Sequence, residues 1–473
     1  VAPERPVGAR TTSPANAASH LARRLLTPRP MKDLPPQPDA NAHPIVFGLE
    51  DRVPHGTALL VGAQHVSAMV VGTITPPLLL AGALKFPPAD TAYLISLALI
   101  SSAIGTFLQC RRRGPVGSGL LSVTGTSFAF IGVLTQAWHA GGFALMFGLS
   151  CLTAPLQIAF SPLLRHLRGV FTPLVSGIVV LLIGLSLIPT AYFNLAVPLR
   201  PDAPPWLGLA IGAGVVAIVT VAQAVGKAWA RIAGIALGVA GGVLVCALCG
   251  ALKAPPAGDG AWLTPVRLLP HGFDFRWDLA LPFAFVYLVS MLEAIGDMTA
   301  TSQLSGLPAS GPDHWRRLSG GVLADGITST VSALFGGFPS ATYAQNNGVI
   351  QLTGVASRRV GYYMAGILAL LGFFPAVGRL ISVVPPPVIG ALAMMLFGLV
   401  AVSGLRLILS EGLGQREGLI VALSLGIGLG LPSQPGLLAD LPGFVRALFE
   451  SSISAGGLTA LVLSMLWQRL PSA

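Results

Sequence analysis

Pro339-Ser340-Ala341-Thr342-Tyr343-Ala344-Gln345-Asn346-Asn347-Gly348-Val349-Ile350-Gln351-Leu352-Thr353-Gly354 lies between apolar runs at about 319–337 and 358–381. The chain around it is 53% hydrophobic and only 10% charged, with a mean hydropathy of +0.75. A soluble domain carries about 25% charged residues, so 473 residues of this composition could not cover a surface in water. The chain reads as a polytopic membrane protein, and a soluble enzyme is excluded. The quoted stretch is too short and too polar to cross a bilayer as a plain helix. Non-helical backbone at membrane depth is tolerated only where protein or a water-filled cavity covers it. A second stretch of this kind occupies 119–136. The two are alike in sequence as well: Ser122-Val123-Thr124-Gly125-Thr126-Ser127-Phe128 aligns with Ser340-Ala341-Thr342-Tyr343-Ala344-Gln345-Asn346 at one register.

Reading outward gives fourteen candidate spans, at about 57–84, 90–110, 119–136, 141–163, 171–192, 205–225, 232–252, 280–302, 319–337, 339–353, 358–381, 385–409, 416–432 and 449–468. With a cytoplasmic N-terminus, thirteen Lys and Arg residues fall in the gaps that should face the cytoplasm, from Arg111 to Arg416, and seven in the opposite gaps. Three of those seven lie in one linker, 253–279. Cytoplasmic gaps are enriched in basic residues, so both ends are expected inside. The net charge of +10 is thereby explained by topology and does not point to nucleic acid. The linker separates two halves of seven spans. An odd count makes any repeat inverted, and two further matches support one: Gly72-Thr73-Ile74-Thr75 with Gly296-Asp297-Met298-Thr299, and Pro173 and Gly177 with Pro386 and Gly390. Inverted repeats build secondary transporters, whose sites lie where discontinuous spans meet near the midplane.

The first 45 residues are rich in Pro, Ala and Arg, have no apolar run, and read as a disordered cytoplasmic tail. Residues 1–30 are taken either as part of that tail or as sequence upstream of a start at Met31. The four cysteines, Cys110, Cys151, Cys246 and Cys249, lie in or beside apolar runs and read as small core residues, with no metal expected.

Few charges lie within the spans. Of eighteen acidic residues, Glu293, Asp297 and Asp325 fall clearly inside the spans and not at their ends, and of eight histidines, His65. A charge at the bilayer centre costs at least ~2.5–3.5 kcal/mol on insertion scales, which makes these residues functional candidates. The bland alternative is a structural cluster bonded to helix ends. Glu293 and Asp297, four apart, share a helix face. Gln345, Asn346 and Asn347 add amides with two donors and an acceptor each. Such groups suit a planar ligand with alternating N–H and C=O edges, as in a nucleobase, and Phe128 offers a ring to stack on.

Four motifs carry a family resemblance: Gln345-Asn346-x-Gly348-x4-Thr353, Glu293-Ala294-Ile295-Gly296-Asp297-Met298-Thr299, Gly320-Gly321-Val322-Leu323-Ala324-Asp325-Gly326, and Gln64-His65. The chain resembles the nucleobase-ascorbate transporters, or nucleobase:cation symporters of the second class, over about 45–470. The run from Gln345 to Arg358 is similar to that of bacterial xanthine permeases, which ranks xanthine above uracil. The resemblance implies an all-α fold of fourteen spans as two inverted repeats, with short strands in spans three and ten. It implies a core domain (46–163 and 280–381), a gate domain (164–252 and 382–473), and an extracytoplasmic linker at 253–279. Glu293 and Gln345 would bind the purine, backbone at Phe128 and Ala344 would complete the pocket, and Asn346 would set the geometry of Gln345. Asp325, His65 and Asp297 would form the network behind, with Asp325 and Glu293 the candidate proton carriers. A homodimer in a bacterial inner membrane, using a proton gradient and no cofactor, is implied too.

One departure concerns Ser127, where some xanthine permeases carry Asn. The smaller side chain leaves room for a substituent such as the 8-oxo group of uric acid. Three other classes compete with this reading, and the first of them, a channel, is distinguished by saturable, competable uptake. An anion transporter of the same fold should lack the Glu293 and Gln345 pair and favour positive charge or helix N-termini at its site, and no Lys or Arg lies in spans three, eight or ten. His-Glu-x-x-His, Gly-x-Ser-x-Gly and Walker patterns are missing, which argues against a membrane enzyme or ATP-driven transport.

Overall fold

The computed structural model describes residues 45–164, 172–200, 203–225, 228–252, 263–308, 311–343, 345–382, 384–409 and 412–469. The tail reading for 1–45 and the proposed pocket residue Ala344 fall outside these residues, apart from Ile45. The helices are α1 (His55–Leu84), α2 (Pro88–Cys110), α3 (Ile131–Thr153), α4 (Pro155–Phe160), α5 (Pro173–Leu195), α6 (Pro205–Ala224), α7 (Ala228–Leu248), α8 (Trp277–Leu304), α9 (Pro312–Leu334), α10 (Gln345–Thr353), α11 (Arg358–Phe373), α12 (Pro375–Ser382), α13 (Pro386–Leu409), α14 (Gln415–Gly430), α15 (Gly443–Glu450) and α16 (Ser452–Arg469). The described residues also hold two strands, β1 (Thr124–Thr126) and β2 (Ser340–Thr342).

Apolar runs became helices because backbone groups out of water must bond within their own segment. Several start on proline, whose missing N–H is of no consequence in the first turn; α2, α5, α6 and α9 do so. Thr172 caps α5 by accepting from Val175 N at 3.3 Å. Among the described residues, seven helical runs are long and apolar enough to cross a membrane: His55–Leu84, Pro88–Cys110, Phe128–Leu163, Pro173–Leu195, Trp206–Ala224, Trp277–Leu304 and Pro386–Leu409. Leu237–Leu248 and Ser452–Trp467 are shorter apolar helices. The protein is thus an all-helical membrane protein with several apolar spans. Seven is fewer than the fourteen expected, for identifiable reasons. The segments at 119–136 and 339–353 divide between strand and helix, α9 carries Asp313, His314, Arg316, Arg317 and Asp325, and α11 and α14 have only 16 residues each.

The helices gather into two groups. In one, α1, α2 and α3 pack with α8, α9, α11 and α12. In the other, α5, α6 and α7 pack with α13, α14 and α16. The closest contact in the second group is between α5 and α13, where small residues let backbones touch. A β-carbon at Gly184 would meet Ala401 N at 2.5 Å, and one at Gly404 would meet Leu181 N at 2.3 Å. Such close approach replaces the hydrophobic drive that is missing between helices in lipid.

β1 and β2 pair antiparallel inside the first group, with Thr124 opposite Thr342, Gly125 opposite Ala341 and Thr126 opposite Ser340. All six residues are buried. The ladder is extended by Tyr343 N to Val123 O at 2.9 Å and Ser127 N to Pro339 O at 2.9 Å. Serines of α9 satisfy much of the remaining backbone. Ser340 N donates to Ser329 Oγ at 3.0 Å, and Ser332 Oγ donates to Phe338 O at 2.7 Å. The irregular chain is therefore covered by protein, as membrane depth requires.

Candidate functional site

Each strand runs directly into a helix start. A short 3-10 turn at Phe128–Phe130 leads from β1 into α3, and α10 begins at Gln345 after β2. Helix N-termini carry unpaired N–H groups and a partial positive charge. Two such ends, one from each half of the chain, flank the paired strands.

Glu293 and Asp297 stand on α8 and Asp325 on α9. The three carboxyls lie close enough to feel one another's charge. Glu293 and Asp297 are half-buried and Asp325 is fully buried. Asp325 Oδ1 accepts from Gln109 Nε2 at 2.9 Å, and the carboxyl also lies against the Thr124 hydroxyl and the Thr342 backbone N–H. Asp325 thus touches both strands from behind. The charge of Glu293 also reaches Tyr343.

The amide run after β2 divides its tasks. Asn346 is buried, donates from Nδ2 to Leu121 O at 2.5 Å, and faces His65, which is 1% exposed. Neither His65 nitrogen nor Asn346 Oδ1 completes a hydrogen bond. Asn347 reaches α8, where the Thr301 hydroxyl lies 2.7 Å from its side-chain oxygen and 2.8 Å from Asp297 O. Turning that amide over, which the ordinary ambiguity of amide orientation permits, lets its N–H donate to Thr301 while Thr301 donates to Asp297 O. Gln345 opens α10 at the strand end, but its side chain, like Ala344, lies outside the described residues. Its expected contact with substrate is therefore not placed.

Ser127 and Phe128 are buried at the end of β1. The Ser127 hydroxyl has no partner. The Phe128 ring meets Phe397 of α13 edge to face, with centroids 5.5 Å apart. Phe128 is thus where the first helix group touches the second beside the strands.

The structure brings together His65, Ser127, Phe128, Glu293, Asp297, Asp325 and Asn346 around one strand pair. Two further residues stand there that the sequence did not single out. Gln109 is fully buried and holds Asp325. Tyr343 donates from Oη to Thr126 O at 2.7 Å and lies against Gly125, where a β-carbon would meet its ring at 2.5 Å. Gln109 precedes Cys110-Arg111-Arg112-Arg113 and so looks like a span boundary. An uncharged amide on the apolar side of that boundary was the signal to be had. No group of three metal-ligating side chains occurs among the described residues. A cavity of about 400 Å³ lies elsewhere, between α2, the linker and α12, lined in part by Asp90, Tyr93, Arg267, His271 and Arg379.

Comparison with known proteins places this architecture. Residues 56–437 match a permease family model, that of the xanthine and uracil permeases. The chain is 40% identical over 438 residues to xanthine permease XanP of Escherichia coli (strain K12), covering 89% of this chain and 94% of that protein. It is 39% identical over 435 residues to xanthine permease XanQ of the same organism, covering 89% and 93%. A purine permease of Emericella nidulans is 34% identical over 81% of this chain and 74% of its own length. Among solved structures, the transmembrane domain of the cyanobacterial bicarbonate transporter BicA has a TM-score of 0.56 at 17% identity, over 86% of this chain and 99% of that one. The murine anion transporter Slc26a9, in an inward-facing state, has a TM-score of 0.59 at 13% identity, over 99% of this chain and 76% of that one. The last two matches describe the fold alone. The matched family model, spanning most of the chain, and the permease relatives together identify a transporter and no enzyme: the chain belongs to the xanthine/uracil permease family.

Proposed function

We propose that the protein is a secondary transporter that takes up a purine nucleobase, xanthine first, together with a proton. The observation that carries this reading is the acidic cluster of Glu293, Asp297 and Asp325 beside two helix starts, with no Lys or Arg on the strands, on α8 or on α10. A purine presents N–H and C=O groups in one plane. Glu293 is a pure acceptor when ionised and suits ring N–H groups, Gln345 both donates and accepts, and backbone at Phe128 and Ala344 completes the edge. The xanthine permeases at 39–40% identity support the substrate class.

In this reading the first helix group is the core domain and the second the gate. The fourteen spans form two inverted repeats, with the N-terminus inside. The strand register supports the repeat: Thr124 and Thr342, equivalent in the sequence alignment, stand opposite one another, as a twofold axis through the ladder demands. A carboxyl out of water favours its neutral form, so loading a proton from the outside and a neutral purine together avoids moving a bare charge. An inward proton gains about 2.3 kcal/mol for each ~100 mV of membrane potential, enough to concentrate substrate some tens-fold. Uric acid is the second reading, favoured by the small Ser127.

The test is labelled xanthine uptake in cells lacking their own purine permeases, with and without a protonophore. Glu293→Gln keeps the shape but adds donors where an acceptor is needed. Losing a hydrogen bond to a charged group costs about 1.5–3 kcal/mol, so uptake should fall at least roughly tenfold at equal membrane abundance. Wild-type xanthine uptake by Glu293→Gln would refute the site.

A further inference from the structure

Gln109 is an amide with every hydrogen-bonding atom assigned. Its Nε2 donates to Gly321 O at 2.9 Å and to Asp325 Oδ1 at 2.9 Å, and its Oε1 accepts from Ser118 N at 3.3 Å. The orientation of this amide is forced. Gly321 O can only accept and Ser118 N–H can only donate, so turning the amide over would face acceptor to acceptor and donor to donor. The contact is possible because α9 comes very near the end of α2. A β-carbon at Gly320 would meet Gly117 O at 2.5 Å, and one at Gly321 would meet Met298 Sδ at 2.0 Å and Gln109 Oε1 at 3.1 Å.

The two oxygens of Asp325 therefore differ. Oδ1 faces a donor that cannot become an acceptor. Oδ2 is buried with no hydrogen-bond partner, and so is the hydroxyl of Thr124, against which the carboxyl lies. A hydroxyl can serve either state: it donates to a carboxylate and accepts from a carboxylic acid. The other groups facing this carboxyl are the Thr342 N–H on β2 and the Glu293 and Asp297 carboxyls on α8, whose charges act on one another and on Asp325. On α9 itself the cation of Arg317 is directed to Ser118 O at 3.3 Å.

From this geometry we infer that Gln109 fixes which oxygen of Asp325 carries the transported proton, reserving Oδ1 as an acceptor and leaving Oδ2, which has no partner, as the atom that is protonated. The Thr124 hydroxyl stands beside the carboxyl. The inference rests on the proton-coupled reading above. A proton from the outer water forms an O–H bond at Oδ2, and that bond breaks when the proton leaves to the inner water. Nothing is oxidised or reduced. The Thr124 hydroxyl beside the carboxyl can donate to the ionised form and accept from the protonated one, so it serves both states. Thr124 lies in β1 opposite Thr342 of β2, two residues before Ala344 and three before Gln345, so the proton is read by the strands that hold the proposed purine site. Gln109 is a positioning residue that meets neither purine nor proton.

The experiment compares Gln109→Met, Thr124→Val and Thr124→Ser in proteoliposomes under an imposed proton gradient. Two readouts are taken: uphill xanthine accumulation, and xanthine–xanthine exchange without a gradient. Gln109→Met and Thr124→Val should lose accumulation by about tenfold or more, the equivalent of one hydrogen bond to a charged group. Exchange should persist within about threefold, because purine contacts remain. Thr124→Ser, which restores the hydroxyl, should recover accumulation, a rescue that a packing role would not give. Should Gln109→Met fail to reach the membrane, the Thr124 pair decides alone. Wild-type accumulation that ignores a protonophore would overturn the proton-coupled reading. Protonophore-sensitive accumulation that is equal in wild type, Gln109→Met and Thr124→Val would overturn the role of Gln109 and leave that reading standing.

Discussion

Ser127 sits where a one-atom difference in side-chain reach has consequences. Its N–H is held by Pro339 O at 2.9 Å, which fixes the backbone, while its hydroxyl is buried without a partner. The position therefore has unused polar capacity next to Phe128. Asn there would extend an amide into that space. We expect Ser127→Asn to weaken competition by uric acid for labelled xanthine uptake by roughly tenfold while shifting xanthine itself less, the size expected for one added group in a fitted pocket. Equal competition before and after the change would remove Ser127 from the pocket. The carboxylates were legible in the sequence because a charge at membrane depth has a large cost and so stands out against an apolar run. Gln109 and Tyr343 were not, because an amide or phenol near a span end costs little there. Only the fold shows that their polar atoms are turned inward, onto Asp325 and the Thr126 carbonyl.

The linker offers a case at the scale of one element. It is tied to the helix ends by Thr264 N to Phe373 O at 2.8 Å, Leu269 N to Leu334 O at 2.8 Å and Asp274 N to Ala144 O at 3.2 Å. His271 stacks on Phe143 at 4.3 Å and near-parallel Phe147 at 5.8 Å. Burial holds the His271 ring below the usual histidine pKa, and the charge of Asp90 offsets part of that effect. A group whose folded pKa is depressed favours folding above its unfolded value and loses that contribution as pH falls through the folded one. The strap should therefore loosen on acidification. Relative to the intrinsic amide exchange rate, which itself falls with acid, the amides of 264–274 should lose about threefold or more of their protection between pH ~7.5 and ~5.5. His271→Phe, which keeps the stack without a proton site, should flatten that response. An identical pH response in His271→Phe would assign it to another group. The sequence marked this segment as a linker from its polarity and charge, yet not its attachment, since the hydrogen bonds run from backbone to helix ends far away in the chain. The strands were partly hidden for a related reason. Three residues are too few to show a twofold alternation, and only their failure as helix gave them away.

At the scale of the whole molecule, the transport proposed above would have the two helix groups move relative to one another around the proposed site. The aligned segments Ser122–Phe128 and Ser340–Asn346 read as a weak repeat, and in the ladder the aligned Thr124 and Thr342 stand opposite one another. Composition alone could not show that α5 and α13, and not sequence neighbours, form the tightest pair, because glycine contacts such as Gly184 with Ala401 join segments some two hundred residues apart. The α5–α13 contact is backbone against backbone and should move as one body. The Phe128–Phe397 contact is different: it is edge to face, lies beside the strands, and joins a residue of the first group to one of the second. Packed interfaces shift between discrete arrangements more readily than they deform, so this ring contact is where sliding should be felt. In a background with Cys110, Cys151, Cys246 and Cys249 replaced, Phe128→Cys with Phe397→Cys should be bridged by a short reducible bifunctional thiol reagent. Bridging should cut xanthine uptake at least about tenfold, as expected when one of two required states is removed from the equilibrium. Reduction should restore it, and Phe397→Cys alone should be indifferent to the reagent. A bridged protein that transports at the unbridged rate would mean that the two groups move together there, and the boundary between moving bodies would have to lie elsewhere than between α13 and the strands.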